Sequence, residues 1–231
     1  MFSKFFHRTP GPLVVFIHIP KTSGTTLCHF IRRHYRKTEC LSWYRREEFA
    51  SGLAGLAPKI RHKTKFVFGH FNYGIDRLID RQVQYFTVLR HPVDRAISFY
   101  EFSRARQSTG GDTPEVVRYA REHTIIDFVE RFKGVSNGQT RILSGCGNNL
   151  EQAMENLHNC FFGIQDYTDQ FAAQIAQRLG FPSKAPGKIN TTRYQSEYTS
   201  GLREQLEEMC ANDMKLYQYA RALYLEKYRP D

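Results

Sequence analysis

The stretch from Phe16 to Thr26 reads FIHIPKTSGTT: an apolar run halted by Pro20, then a lysine, small hydroxyl residues and one glycine. It constrains the fold more than any other part of the chain. Residues 13–19 (LVVFIHI) are rich in β-branched and aromatic side chains and have the length of a strand. From Gly24 to Tyr35 the spacing of Leu27, Phe30, Ile31 and His34 is helical. A strand without polar alternation is buried on both faces, which calls for a parallel sheet covered by helices on either side. The tight turn between the two elements aims unpaired helix N–H groups at one point, where the helix dipole adds partial positive charge, so anions bind there. Gly24 lets the backbone approach a phosphate, Thr22, Ser23, Thr25 and Thr26 offer hydroxyls, and Lys21 offers a point charge. The stretch is not a Walker A loop, which requires glycines before the lysine; here Pro20 precedes Lys21 and the glycine follows it.

The alternation continues downstream. Strands are expected at residues 65–69 and 84–89, and Pro92 suits the first position of a helix carrying Val93, Ala96, Ile97 and Tyr100 on one stripe. Further helices are expected at 125–132, 149–157, 166–179 and 201–228, with a strand at 160–164. The Arg-rich stretch between the first helix and Pro58 reads as irregular, and 108–114 and 181–192 read as loops. The pattern is α/β, a three-layer arrangement of helix, parallel sheet and helix. At 231 residues it fits a single domain over 1–231.

Charge sharpens the functional classes. Residues 1–65 hold 13 Lys and Arg against 3 Asp and Glu, whereas residues 66–231 hold 20 of each, so the whole net charge of +10 surrounds the opening motif. Such a field concentrates anionic ligands. No zinc finger, RNP motif or basic heptad region points to nucleic acid. Five scattered cysteines without zinc spacing indicate thiols in a reducing compartment and no structural metal. No apolar run reaches the length of a membrane span and MFSKFF lacks a signal-peptide h-region, so a soluble, cytoplasmic protein is expected, with a trimmed lumenal domain as the alternative.

The P-K-T-x-G-T-T arrangement after an apolar strand resembles the 5′-phosphosulfate loop of sulfotransferases that use 3′-phosphoadenosine 5′-phosphosulfate (PAPS). In that family a strand ending in Arg, followed by a helix carrying Ser, binds the 3′-phosphate; TVLRHPVDRAISFY places Arg90 and Ser98 accordingly. The resemblance implies a P-loop-like fold of the sulfotransferase 2 group, with PAPS as sulfuryl donor, 3′-phosphoadenosine 5′-phosphate (PAP) as product and no metal. The ligand is expected across the carboxyl ends of the parallel strands.

KFVFGHFNYG puts His70 at a strand end and is similar to the G-H element of heparan and uronyl 2-O-type sulfotransferases, in which a histidine is the base. Those relatives can carry a second histidine two positions earlier, where this chain has Phe68, so His70 carries the assignment alone. His18 reads as part of the first strand, and His91 as a turn or cap residue. NGQTRILSG, residues 137–145, is similar to a segment of 6-O carbohydrate sulfotransferases; Gln139 and Arg141 offer donors to sugar hydroxyls or sulfates, or equally brace the helices around them. KINTTR resembles a late loop closing over the nucleotide, through Lys188, Thr191 and Arg193. The expected activity is sulfuryl transfer to a hydroxyl on a carbohydrate, with an anionic polysaccharide as the acceptor that the charge favours, Lys21 stabilising the leaving phosphate and His70 as base. The rivals are an ATP-dependent phosphotransferase and a non-catalytic module binding PAP or anionic glycans.

Overall fold

The computed structural model describes residues 11–44, 46–107, 113–182 and 198–228. Five parallel strands form one sheet in the order β2-β3-β1-β4-β5. They are β1 (Leu13–Ile17), β2 (Cys40–Trp43), β3 (Phe66–Gly69), β4 (Val83–Leu89) and β5 (Cys160–Ile164). The central β1 pairs Val14 with Phe66 and Ile17 with Gly69 on one side, and Leu13 with Val83 and Ile17 with Thr87 on the other. All five of its side chains are buried, each contributing about 1.5–3 kcal/mol of hydrophobic stabilisation.

In chain order the helices are α1 (Gly24–Arg32), α2 (Arg46–Leu56), α3 (Pro92–Ala105), α4 (Glu115–Glu122), α5 (Ile125–Arg131), α6 (Lys133–Ser136), α7 (Gly138–Ser144), α8 (Leu150–His158), α9 (Thr168–Leu179), α10 (Ser200–Met209) and α11 (Ala211–Tyr228). The sheet and its flanking helices enclose one apolar cluster. A second, around Val93, Tyr100, Phe128 and Leu206, lies among α3, α4, α5, α6 and α10. The chain leaves β1 toward β2 on one side, whereas β4 leads to β5 on the other, so the strand order reverses between β1 and β4. Ligands of open parallel sheets bind at the carboxyl ends beside such a reversal.

Several elements differ from the sequence reading. The first strand stops at Ile17 rather than Ile19, because the chain turns toward the loop there, and α1 ends at Arg32. The stretch read as irregular before Pro58 contains β2 and α2. β2 is a four-residue edge strand, CLSW, with Ser42 exposed, too short to carry a periodic signal. α4, α6 and α7 were not legible either, and the long terminal helix divides at Cys210. That division has a tertiary cause. Asp213, fully buried, accepts the N–H groups of Gln139 (3.1 Å) and Thr140 (2.7 Å) and pairs with Arg95 (3.4 Å). Its own N–H donates to Asn137 Oδ1 at 3.0 Å, so the residue capping α7 supplies a partner for an N–H at the start of α11.

Candidate active site

Beyond Ile17 the backbone continues the ladder for one more bond, His18 N–H to Gly69 O at 2.9 Å, then turns through residues 20–23 into α1. Lys21 (φ 71°) and Ser23 (φ 67°) occupy the left-handed region, which costs a non-glycine residue about 1–2 kcal/mol. Strain of this kind persists where the surroundings enforce it, and left-handed residues in a turn help gather N–H groups into an anion-binding concavity. The Thr22 hydroxyl donates to Ile19 O (2.9 Å) and is buried, so it fixes the turn from inside. Thr25 is exposed and Thr26 buried at the start of α1. Gly24 is demanded by a neighbour: a Cβ there would lie 2.2 Å from His18 Cδ2 and 2.7 Å from His18 Nε2. The sequence reading assigned that glycine to phosphate approach alone and missed the ring packed against it.

Arg90 follows β4, the strand beside β1, and its Nη1 donates to Lys21 O at 3.1 Å. This contact joins the two motifs identified in the sequence, 69 residues apart. Gln139 holds Arg90 from the other side: Arg90 N–H donates to Gln139 Oε1 (3.0 Å), and Gln139 Nε2 donates to Arg90 O (2.9 Å). With both amide atoms engaged and the side chain fully buried, Gln139 braces the end of β4, which suits the second of the two roles that the sequence offered for it. Arg141, one residue beyond Thr140 on α7, is half-buried, and its Nε has no hydrogen-bond partner among the described residues. Ser98 lies buried within α3, and Pro92 occupies the first turn of that helix as expected. His91 sits at the cap position without a capping bond; its Nδ1 lies 3.9 Å from Asp94 Oδ2. Lys188, Thr191 and Arg193 lie outside the described residues. Phe102, another residue the sequence did not single out, projects from α3 with 47% of its surface exposed and carries Lys21 Nζ over its ring at 4.1 Å. At so exposed a ring a contact of this type contributes about 0.5–1 kcal/mol.

His70 stands immediately beyond β3. Gly69 allows it: a Cβ at Gly69 would lie 2.1 Å from Trp43 O, so only glycine lets the ends of β2 and β3 converge, and His70 N–H then donates to that carbonyl at 2.9 Å. The His70 ring lies 4.8 Å from that of His18 and 4.8 Å from that of Tyr44. Burial lowers its pKa to about 4. His18 is lowered further, to about 3, by burial and by the neighbouring His70 and Lys21. Both imidazoles are therefore neutral at pH 7. His18 was read as a strand residue; it is brought into the site because β1 ends one residue before it.

A parallel sheet reversing between β1 and β4, with a lysine-bearing turn after one and an arginine after the other, has the P-loop-like fold. Within that class the chain belongs to the sulfotransferase family, whose model matches residues 6–220. It is 25% identical to a heparan-sulfate 6-O-sulfotransferase 2 of Danio rerio, over 97% of this chain and 60% of that protein. It is 26% identical to heparan-sulfate 6-O-sulfotransferase 2 of Homo sapiens, over 94% of this chain and 45% of that one. The chain thus spans about half to three fifths of the length of these relatives. Both are named as heparan-sulfate 6-O-sulfotransferases. A sulfotransferase crystal structure from Alicyclobacillus acidocaldarius shares the fold, with a TM-score of 0.51 at 15% identity over 95% of this chain and 99% of that chain. Among the described residues no helix is long and apolar enough to cross a membrane, and no cluster of three or more His, Cys, Asp or Glu is arranged to hold a metal.

Proposed function

We propose that the protein transfers the sulfuryl group of PAPS to a hydroxyl of a carbohydrate acceptor and releases PAP. The observation that carries this reading is the Arg90–Lys21 contact, which sets a guanidinium and an ammonium-bearing loop together at the strand-order reversal, as a nucleotide with phosphates at both ends requires. Lys21, the loop N–H groups and the α1 N-terminus would neutralise the 5′-phosphate as it leaves, and Thr22 keeps the turn that presents them. Arg90 and Ser98 are assigned to the 3′-phosphate. Lys188, Thr191 and Arg193 are assigned to closure over the nucleotide, and Arg141 to an anionic or hydroxyl group of the acceptor.

His70 takes the acceptor proton. Held neutral by burial, it is ready to accept, although a pKa near 4 makes it a weak base in the empty site. The negative charge of bound donor favours the imidazolium and raises that pKa toward the operating range. Positioning and electrostatics thus carry catalysis without a metal-bound step. The acceptor reading rests on the relatives, named as heparan-sulfate enzymes, and on the +10 charge, which suits an anionic polysaccharide. The five cysteines are all unpaired, which suits a reducing, cytoplasmic setting. Arg90→Ala tests the donor assignment: it should weaken PAP at least tenfold while changing adenosine 5′-phosphosulfate affinity little. Equal losses for both would refute the 3′-phosphate role.

A further inference from the structure

Three strand ends meet behind the anion loop. His18 leaves β1, Tyr44 leaves β2 and His70 leaves β3, and their rings form one cluster: His18 and His70 at 4.8 Å, Tyr44 and His70 at 4.8 Å, His18 and Tyr44 at 5.6 Å. Tyr44 stands edge-on to both imidazoles, at 82° and 87°. An apolar ring would fill the His18 position at less cost, since a buried imidazole must find a polar partner. It has one: Nδ1 lies 2.7 Å from the Tyr44 hydroxyl. That hydroxyl also reaches Cys28 Sγ at 3.8 Å, and His18 Nε2 lies on the side of the ring packed against Gly24.

We infer that His18 and Tyr44 are a positioning pair that fixes the ring of His70 and holds it in its proton-accepting form. This rests on the reading of His70 as the base. The pair ties the base to the donor loop, because the ring touching His70 is also the ring against Gly24. Lys21 from the loop and Tyr44 from the end of β2 face the imidazoles, and Cys28 from α1 meets the Tyr44 hydroxyl. Lys21 and His70 both oppose a charge on His18, and burial keeps the Cys28 thiol protonated. His18 therefore stays neutral beside His70, held by Tyr44.

The test is an NMR titration of histidine-labelled protein, wild type, His18→Asn and Tyr44→Phe, with the pH profile of kcat/KM for sulfuryl transfer in parallel. In the wild type His70 titrates near 4. His18→Asn opens the cluster and moves that midpoint upward by a unit or more, toward 6.5; Tyr44→Phe, which keeps the packing and removes the hydroxyl, moves it in the same direction by less. The acid limb of kcat/KM follows both. An unmoved His70 midpoint in both variants overturns the pair, and Tyr44→Phe alone decides if His18→Asn does not fold. The titration needs neither PAPS nor acceptor. A midpoint that moves while the activity profile stays still supports the pair and refutes His70 as the base.

Discussion

In the proposed reaction His70 and Lys21 divide the chemistry, and their replacements should separate proton removal from leaving-group stabilisation. His70→Ala should lower kcat for transfer by ~10²–10⁴-fold and leave PAP affinity within a few fold; full turnover by this variant would refute the base. Lys21→Ala should lose ~10²–10³-fold and weaken PAP as well, because it removes charge from the donor site. The two histidines also leave a mark on stability. Each has a folded pKa below its ordinary 6.5, so the unfolded chain binds protons that the folded one refuses. Their contribution is complete above pH 6.5 and falls as pH drops toward about 4 for His70 and about 3 for His18, by up to ~1.4 kcal/mol per pH unit for each. Urea midpoints measured from pH 7 to pH 4 should decline accordingly, and His70→Ala should flatten the slope; equal slopes in the two proteins would contradict the buried, neutral histidine. Lys21, Arg90 and His70 were legible because strand ends and their flanking turns mark them in one dimension. His18 and Tyr44 were not, since their role depends on where β1 stops and on β2, a strand of four residues.

Helix α7 is the element that links the site to the body of the fold. Gln139 clamps Arg90, the N–H groups of Gln139 and Thr140 bind Asp213, and Tyr73, three residues past His70, donates its N–H to Ile142 O at 2.9 Å. The same short helix therefore touches the segment after β3, the end of β4 and the start of α11. Gln139→Leu leaves the N–H and the C=O of Arg90 without their partners and should cost about 2–4 kcal/mol of stability. It should also weaken PAP by at least tenfold, because Arg90 loses its support. A stable variant with unchanged PAP affinity would show that the clamp has no part in the donor site. Asp213→Asn should be severe as well, about 3–5 kcal/mol, because it strips Arg95 of a fully buried counter-charge. The sequence carried little trace of α7. Its segment, GQTRILS, has no strong apolar period; it is held by hydrogen bonds to residues about 50 and 74 positions away.

At the scale of the molecule, the alternation of apolar strands and amphipathic helices was sufficient to expect a parallel sheet, because strands without polar alternation need cover on both faces. Strand order was not legible. It follows from long-range pairing, β1 with β3 and β4, that no local pattern encodes. The placement of charge was legible: the basic excess lies wholly within residues 1–65, around the loop that the fold sets at the strand-order reversal. The central claim is that this loop and Arg90 together form a site for a nucleotide bearing a 3′-phosphate. Calorimetric titration with PAP, and separately with ADP plus Mg²⁺, tests it most directly. Binding of PAP at least a hundredfold tighter than ADP, with no requirement for Mg²⁺, is the predicted result. A preference for ADP with Mg²⁺ would contradict it and make the FIHIPKTSGTT loop a site for phosphoryl transfer.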